Sequence, residues 1–357
     1  MTPMPPPAPT YPEALNSWLV HRLRAEHERL TRHLDLADGS TREHLRVQWR
    51  MLLAPPRLIA DGTPRLTPAP DVHPLAQHIA LPVVEDVDVD RPAGGRSGPD
   101  PAGEAAPQLT AEAYLAVPED PRGLVIAVHG LGGGAERVFD RDNRAYQGFA
   151  SHLVDAGYAV LAPSQVAGIP DRNRVQDLAR LNGTTVEGIE LARVGALLDV
   201  LPGAAGISRE ITASVGLWGI SWGGLAGLWW TPLDQRIRAV VSCAYATDRV
   251  RKMTVTDDPS FLSFQEAGEH HAFLAGQLGP FSDAELAALI IPRPLQIQHG
   301  HTDAVSPVAD VERESDRMRA HYESCGSGER FEYVLHDNGH GTVLDDGMRF
   351  LDTWLRL

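Results

Sequence analysis

The sequence predicts the α/β class: a mostly parallel sheet flanked by helices, preceded by an N-terminal helical extension. Three observations carry this. Short, nearly continuous apolar runs recur between residues 123 and 337, helical stretches separate them, and the residues suited to chemistry fall just after the runs. Runs apolar on both faces suit strands buried on both sides, as parallel strands are. Strands alternating with helices give a sheet covered on both faces through right-handed crossovers. With 357 residues, 43% of them hydrophobic and 22% charged, the chain can bury a large core and stay soluble.

Taken in order, residues 1–11 are Pro-rich and read as disordered. From Tyr11 to about Leu36, Leu15, Trp18, Leu19, Leu23, Leu30 and Leu34 recur at helical spacing among charged neighbours, which predicts an amphipathic helix. A shorter helix over Thr41–Leu53 is stopped by Pro55-Pro56. Residues 54–82 carry repeated prolines and read as an extended connection. The chain thus divides into an N-terminal segment, 1–83, and a main domain, 84–357. The N-terminal helices read as an appendage packed on the main domain. The alternative is an element that builds a homo-oligomer through the first helix or covers a substrate.

The main domain opens with "VEDVDVD" (84–90) and "TAEAYLAVP" (110–118), alternating segments that predict two strands across the Gly/Pro-rich stretch 93–107. The apolar runs follow: "GLVIAVHG" (123–130), "YAVLAP" (158–163), "ASVGLWGI" (213–220), "IRAVVSCAYA" (237–246), "RPLQIQHG" (293–300) and "RFEYVLHD" (330–337). Helices are predicted over 175–200 and 308–323. Residues 247–285 exceed a typical connection and predict a partial cap, with Phe261, Phe264, His270, His271 and Phe273 as candidate lining.

Composition excludes several classes. A net charge of −15 without a local basic stripe argues against nucleic acid, whose binding rests on Lys and Arg neutralising phosphates. No apolar run approaches the ~18 residues of a membrane span. The start, MTPMPPPAPTYPEAL, lacks a basic stretch followed by an apolar one, so a cytoplasmic protein is expected. Cys243 and Cys325 lie in no metal-like or disulfide-framework spacing. The His-rich stretches "HGH" (299–301), His270-His271 and "HDNGH" (336–340) match no zinc spacing, so neither metal nor cofactor is expected.

The chemistry is carried by "GLWGISWGGLAG" (216–227). Ser221 follows an apolar run and precedes a plausible helix start, with Gly219 and Gly223 flanking it. A strand, a sharp turn and a helix make a nucleophile elbow, which lifts a hydroxyl clear of the sheet. Serine needs a base to take its proton, and the base needs an orienting acid. Asp303 follows the run 293–300 and His340 follows the run 330–337. Ser…Asp…His is the α/β-hydrolase order. In "HGLGGG" (129–134), after the first long run, the glycines let backbone approach a ligand. The expected oxyanion donors are the backbone N–H groups of Leu131 and Trp222. His129 reads as a support for its loop, Asp248 as a rival acid and Asp337 as a turn residue. Trp218 and at least one of Trp229 and Trp230 read as packing, whereas Trp222 is placed at the pocket as an aromatic platform for a sugar or acyl group.

From about residue 84 onward the chain resembles the α/β-hydrolase superfamily, and within it the dienelactone-hydrolase-like and acetyl-xylan-esterase-like serine hydrolases. "HGLGGG", "AGYAVLAPS", "GLWGISWGG", "FSDAELAALIIPRPLQIQHGHTD" and "HDNGHG" carry the resemblance. It implies a cofactor-free carboxylic-ester hydrolase acting on a small-molecule ester through Ser221, His340 and Asp303, with short acyl groups expected. True dienelactone hydrolases typically use cysteine as nucleophile, so their lactone substrate is not implied. A peptidase, amidase or thioesterase on the same triad, or a non-catalytic binding member of the fold, are the alternatives.

Overall fold

The computed structural model describes residues 10–86, 108–255, 258 and 262–355. Among these residues, ten strands form one sheet: β1 (Leu58–Ala60), β2 (Arg65–Pro68), β3 (Ala76–Glu85), β4 (Leu109–Ala116), β5 (Leu124–Val128), β6 (Ala159–Pro163), β7 (Val215–Ile220), β8 (Ile237–Cys243), β9 (Leu295–Gly300) and β10 (Phe331–His336). Their spatial order is β1-β3-β4-β6-β5-β7-β8-β9-β10, with β2 also paired to β3. Strands β5 to β10 pair in parallel, and β1 to β4 join antiparallel along one side.

Each of the six long apolar runs contains one of the parallel strands. Their side chains alternate between two cores: Leu124, Ile126 and Val128 of β5 enter one, and Val125 and Ala127 enter the other. The first core is covered by α2 (Gly39–Leu53), α5 (Val186–Ala204), α7 (Trp222–Trp230), α9 (Asp283–Ile290) and α10 (Val308–Ser324). The second is covered by α3 (Phe149–Asp155) and α11 (Leu344–Trp354). The remaining helices are α1 (Tyr11–Thr31), α4 (Ile169–Leu181), α6 (Arg209–Thr212) and α8 (Arg249–Thr254).

Three expectations are corrected. Residues 54–82, read as a connection, hold β1, β2 and most of β3, so the boundary at 84 falls inside a strand. Prolines at 68 and 82 hid these strands; both sit where the sheet tolerates a missing donor, on the antiparallel margin. The strand read in "VEDVDVD" lies earlier, ending at Glu85, and residues 87–90 are outside the described set. The helix over 175–200 is two helices, α4 and α5, parted at Asn182-Gly183, where Gly183 takes φ +74° and Thr185 caps α5 by accepting the Gly188 N–H at 2.9 Å.

The two N-terminal helices behave differently. Helix α2 is capped by Asp38, whose carboxylate accepts the Ser40 and Thr41 N–H groups, and it buries Leu45, Trp49 and Leu53. The Trp49 indole donates to the Trp229 carbonyl at 2.9 Å and packs edge-on against Trp229 and Phe281. Helix α1 buries no side chain and exposes Leu15, Trp18, Leu19 and Leu23. No helix among the described residues is long and apolar enough to cross a membrane.

Candidate active site

The parallel register lines up the carboxyl ends of the strands. Val128 of β5 lies opposite Gly219 of β7, Cys243 of β8 opposite Gln298 of β9, and Gly300 of β9 opposite His336 of β10. The loops after β5, β7, β9 and β10 therefore open at one edge of the sheet. Leu131, Ser221, Asp303 and His340 lie in those four loops.

Ser221 stands between β7 and α7 at φ 59°, ψ −119°, a strained conformation for a residue with a side chain. Its N–H donates to the Cys243 carbonyl at 2.8 Å, and its own carbonyl accepts the Leu225 N–H at 3.0 Å. The flanking glycines are required by space. A Cβ on Gly219 would meet the Gly223 carbonyl oxygen at 2.1 Å, and one on Gly223 would meet that of Val128 at the same distance. The turn closes only because both side chains are absent.

Asp303 is buried, and one oxygen accepts the Val305 N–H at 2.8 Å. The other accepts His340 Nδ1–H at 2.9 Å. Burial raises the Asp303 carboxyl, but the hydrogen bond and charge of His340, with the Val305 N–H, outweigh it and hold the group below its ordinary value. An ionised carboxylate only accepts, so the proton of a neutral His340 sits on Nδ1 and leaves Nε2 as the free basic nitrogen. The His340 side chain remains about one-third exposed, 33%. Ser221 and His340 form no direct hydrogen bond among the described residues; in unliganded enzymes this contact is often long and tightens on substrate binding.

The loop after β5 approaches the elbow closely, since a Cβ on Gly130 would lie 2.9 Å from Ser221 Cβ. Tyr146 Oη accepts the Gly130 N–H at 2.7 Å, and Thr342 N–H donates to the carbonyl of the adjacent Ala145 at 3.1 Å, which ties the His340 loop to the same place. Among the described residues, the N–H groups of Leu131 and Trp222 have no intramolecular acceptor. His129 is buried, donating from Nδ1 to the Gly130 carbonyl at 2.7 Å and accepting the Gln165 N–H on Nε2 at 3.3 Å. It supports its loop.

Other expectations separate. Asp248 caps α8 by accepting the Arg251 N–H at 3.0 Å and pairs with Arg313, so it does not meet His340. Asp337 is exposed in its turn. Trp218, Trp229 and Trp230 are buried. The Trp222 side chain is also buried, 2% exposed, and cannot act as an open platform. The elbow aims its backbone at the site while α7 carries its indole back into the core. Phe264 and His271 pack on that indole, with His271 at 4.6 Å between ring centres. Phe273 is half-buried and His270 exposed, and Phe261 lies outside the described residues. No cluster of His, Cys, Asp or Glu able to hold a metal occurs among the described residues. Two grooves flank α1, one walled by Leu19, Leu23 and Leu278 and one by Arg24, Asp248 and Arg317, and neither is lined by Ser221, Asp303 or His340.

One group escaped the sequence reading: Arg172, Glu187 and Glu190, all buried beneath the elbow. Arg172 donates to both oxygens of Glu190, at 2.9 and 2.8 Å, and also pairs with Glu187. The available signal was that α5 is apolar around most of its circumference, so acids in its first two turns had to be buried and paired.

This sheet order, with loops carrying Ser, Asp and His after the parallel strands β7, β9 and β10, is that of the α/β-hydrolase fold. No protein-family model matches the chain. The chain is similar to the "Putative hydrolase YtaP" of Bacillus subtilis strain 168, with 26% identity over 263 residues covering 69% of this chain and 84% of that protein. Among solved structures it is similar to a putative acetyl xylan esterase from Bacteroides fragilis NCTC 9343, with a TM-score of 0.62 at 15% identity, covering 95% of this chain and 89% of that one. It also resembles a carbohydrate esterase family 15 glucuronoyl esterase from Caldicellulosiruptor kristjansonii, with a TM-score of 0.57 at 18% identity, over 88% and 83% of the two chains. The 95% share takes in residues before position 84, so the shared architecture includes N-terminal structure.

Proposed function

We propose that the protein is a serine esterase that cleaves short-acyl carboxylic esters. The observation that carries this is the His340–Asp303 hydrogen bond of 2.9 Å at the sheet edge where Ser221 stands on its strained turn. In this reading Ser221 Oγ attacks the ester carbonyl and His340 Nε2 takes its proton. The oxyanion is held by the N–H groups of Leu131 and Trp222, a class of interaction that often supplies the largest catalytic term. His340 then gives its proton to the leaving alcohol, and water hydrolyses the acyl-enzyme by the same steps in reverse order. Asp303 fixes the imidazole tautomer and stabilises the imidazolium. The names of the similar proteins, one hydrolase and two esterases, support the same class.

The test is hydrolysis of p-nitrophenyl acetate, butyrate and octanoate by wild type and Ser221→Ala. Acetate is expected to be the best substrate, and Ser221→Ala to lose roughly 10⁶-fold in kcat. Because Asp303 is held below its ordinary value, it is the ionised partner of His340 in the assay. A general base works only unprotonated, so activity is expected to rise with pH along the acid limb. Octanoate hydrolysed best would sink the short-acyl part, and an amide cleaved as fast as its matching ester would move the assignment to an amidase.

A further inference from the structure

Beneath the elbow lies an ionic cluster to which the hydrolytic steps assign nothing. Arg172 of α4 and Glu187 and Glu190 of α5 are 0%, 1% and 3% exposed. Their hydrogen bonds run in two directions. Glu187 accepts the indole N–H of Trp222 on one oxygen and that of Trp230 on the other at 3.1 Å, so a single carboxylate grips the first and last residues of α7. On the far side, Glu190 accepts the Val166 N–H at 3.0 Å while Arg172 donates to the Val166 carbonyl at 2.9 Å. The neighbours of Val166 hold the loop after β5. Gln165 donates to His129 at 3.3 Å, and the Ala167 carbonyl accepts the Gly132 N–H at 2.9 Å. Leu131 lies between these two anchored positions.

Stability alone does not account for such a cluster. Burying an ion costs several kcal/mol, and apolar replacements of buried ion pairs are often neutral or stabilising. Nor does its field favour the reaction. Burial pushes the Glu187 carboxyl up to about 7 against the pull of Arg172, yet all its partners are donors, the pattern of an ionised carboxylate. The Glu187 carboxylate thus adds negative charge behind a site where negative charge must develop, even with Arg172 and, beside Glu190, Arg193 opposing it. What the cluster does supply is a rigid link between two backbone segments. Resting on the esterase reading above, we infer that Arg172, Glu187 and Glu190 are positioning residues that set the spacing between the Leu131 and Trp222 N–H groups, and so build the oxyanion hole.

The two roles predict opposite signs, which makes a test direct. If only charge mattered, Glu187→Gln would speed the reaction; if geometry matters, it slows it. The experiment measures kcat and KM on p-nitrophenyl acetate per active site titrated with a fluorophosphonate, for wild type, Glu187→Gln, Glu190→Gln and Trp222→Phe. Each variant is expected to lose roughly 10–100-fold in kcat, part of the 10²–10³ that losing one donor outright costs, with KM within about twofold. The Ki of phenylboronic acid should rise by the factor by which kcat falls, because its tetrahedral adduct occupies the same hole. Asp283→Asn, which breaks the equally buried Arg249–Asp283 pair, is expected to lower Tm and keep kcat per titrated site. Should the Glu variants not fold, Trp222→Phe decides, since it deletes one N–H and keeps a ring. Wild-type or faster turnover per titrated site in the folded variants, or a change confined to KM, overturns the inference alone. A wild type that hydrolyses no ester and ignores the fluorophosphonate overturns the esterase reading and this inference together.

Discussion

At Gly300, the last residue of β9, a Cβ would meet the carbonyl oxygens of Asn338 and Gly339 at 1.9 and 2.2 Å. Those carbonyls belong to the loop that carries His340, and backbone cannot swing aside as a long side chain can. Gly300→Ala must therefore displace His340 relative to Asp303. Overpacking of this kind costs typically 1–3 kcal/mol of stability, but a 1 Å misplacement of a catalytic group can cost 10²-fold in rate. The expected outcome is a folded variant with normal circular dichroism and roughly 10²-fold lower kcat on p-nitrophenyl acetate. Wild-type turnover would remove His340 from the mechanism. At this scale the positions of Ser221, Asp303 and His340 were legible because each follows an apolar run, and a parallel strand delivers its next loop to the same edge. The direction of the Trp222 indole was not legible: sequence places a residue in the elbow but does not say that the first turn of α7 carries its side chain back toward Glu187. Arg172, Glu187 and Glu190 were hidden for a related reason, since charges in a helix read as a solvated face until the packing around them is known.

At the scale of elements, helices α9 and α10 face each other through Asp283, Glu285, Glu314 and Arg317. Ser282 and Glu285 form a capping box at the start of α9, and Glu285 pairs with Arg317. Burial pushes the Glu314 carboxyl up to about 7 against the pull of Arg317, with Glu285 and Asp283 adding to the rise. Above its ordinary value and through about 7, the folded state holds a proton that the unfolded state releases, so ionising Glu314 costs folded stability as pH rises. Glu285 has the opposite sign. Its carboxyl is brought down to about 2, in spite of burial, by His321, Arg317 and Ser282, and its contribution is lost as pH falls below the ordinary value. Glu314→Gln is therefore expected to raise Tm at pH 8, by roughly 2 °C per kcal/mol relieved, and to leave it nearly unchanged at pH 4. Thermal melts at the two pH values check this, and an equal shift at both would contradict it. Legibility of elements followed burial. Strands β5 to β9 are buried at nearly every position and stood out as runs, whereas β1, β2 and β3 lie on a margin where proline is tolerated and alternation is broken.

At the scale of the whole molecule, the question is whether the N-terminal segment is an appendage or part of one cooperative unit. Helix α2 gives a physical answer through three contacts. Trp49 is fully buried between Trp229 of α7 and Phe281, its indole satisfies the Trp229 carbonyl, and the last turn of α2 accepts the Thr185 hydroxyl at the Leu53 carbonyl at 2.6 Å. Strands β1, β2 and most of β3, all from before position 84, extend the same sheet. The chain is therefore expected to unfold in one transition, with tryptophan fluorescence, circular dichroism and loss of ester hydrolysis coincident. Trp49→Ala should cost about 3–5 kcal/mol, the usual loss for a buried aromatic, and shift all three probes together. Trp18→Ser on α1, at a residue 53% exposed, should stay within about 0.5 kcal/mol of wild type. Two separated transitions, or a Trp49→Ala variant that loses an early phase while the hydrolytic one keeps its midpoint, would restore the appendage. The spacing of apolar residues predicted both helices equally; only the partner surface, which no periodicity contains, distinguishes the one that carries the core from the one that lies on it.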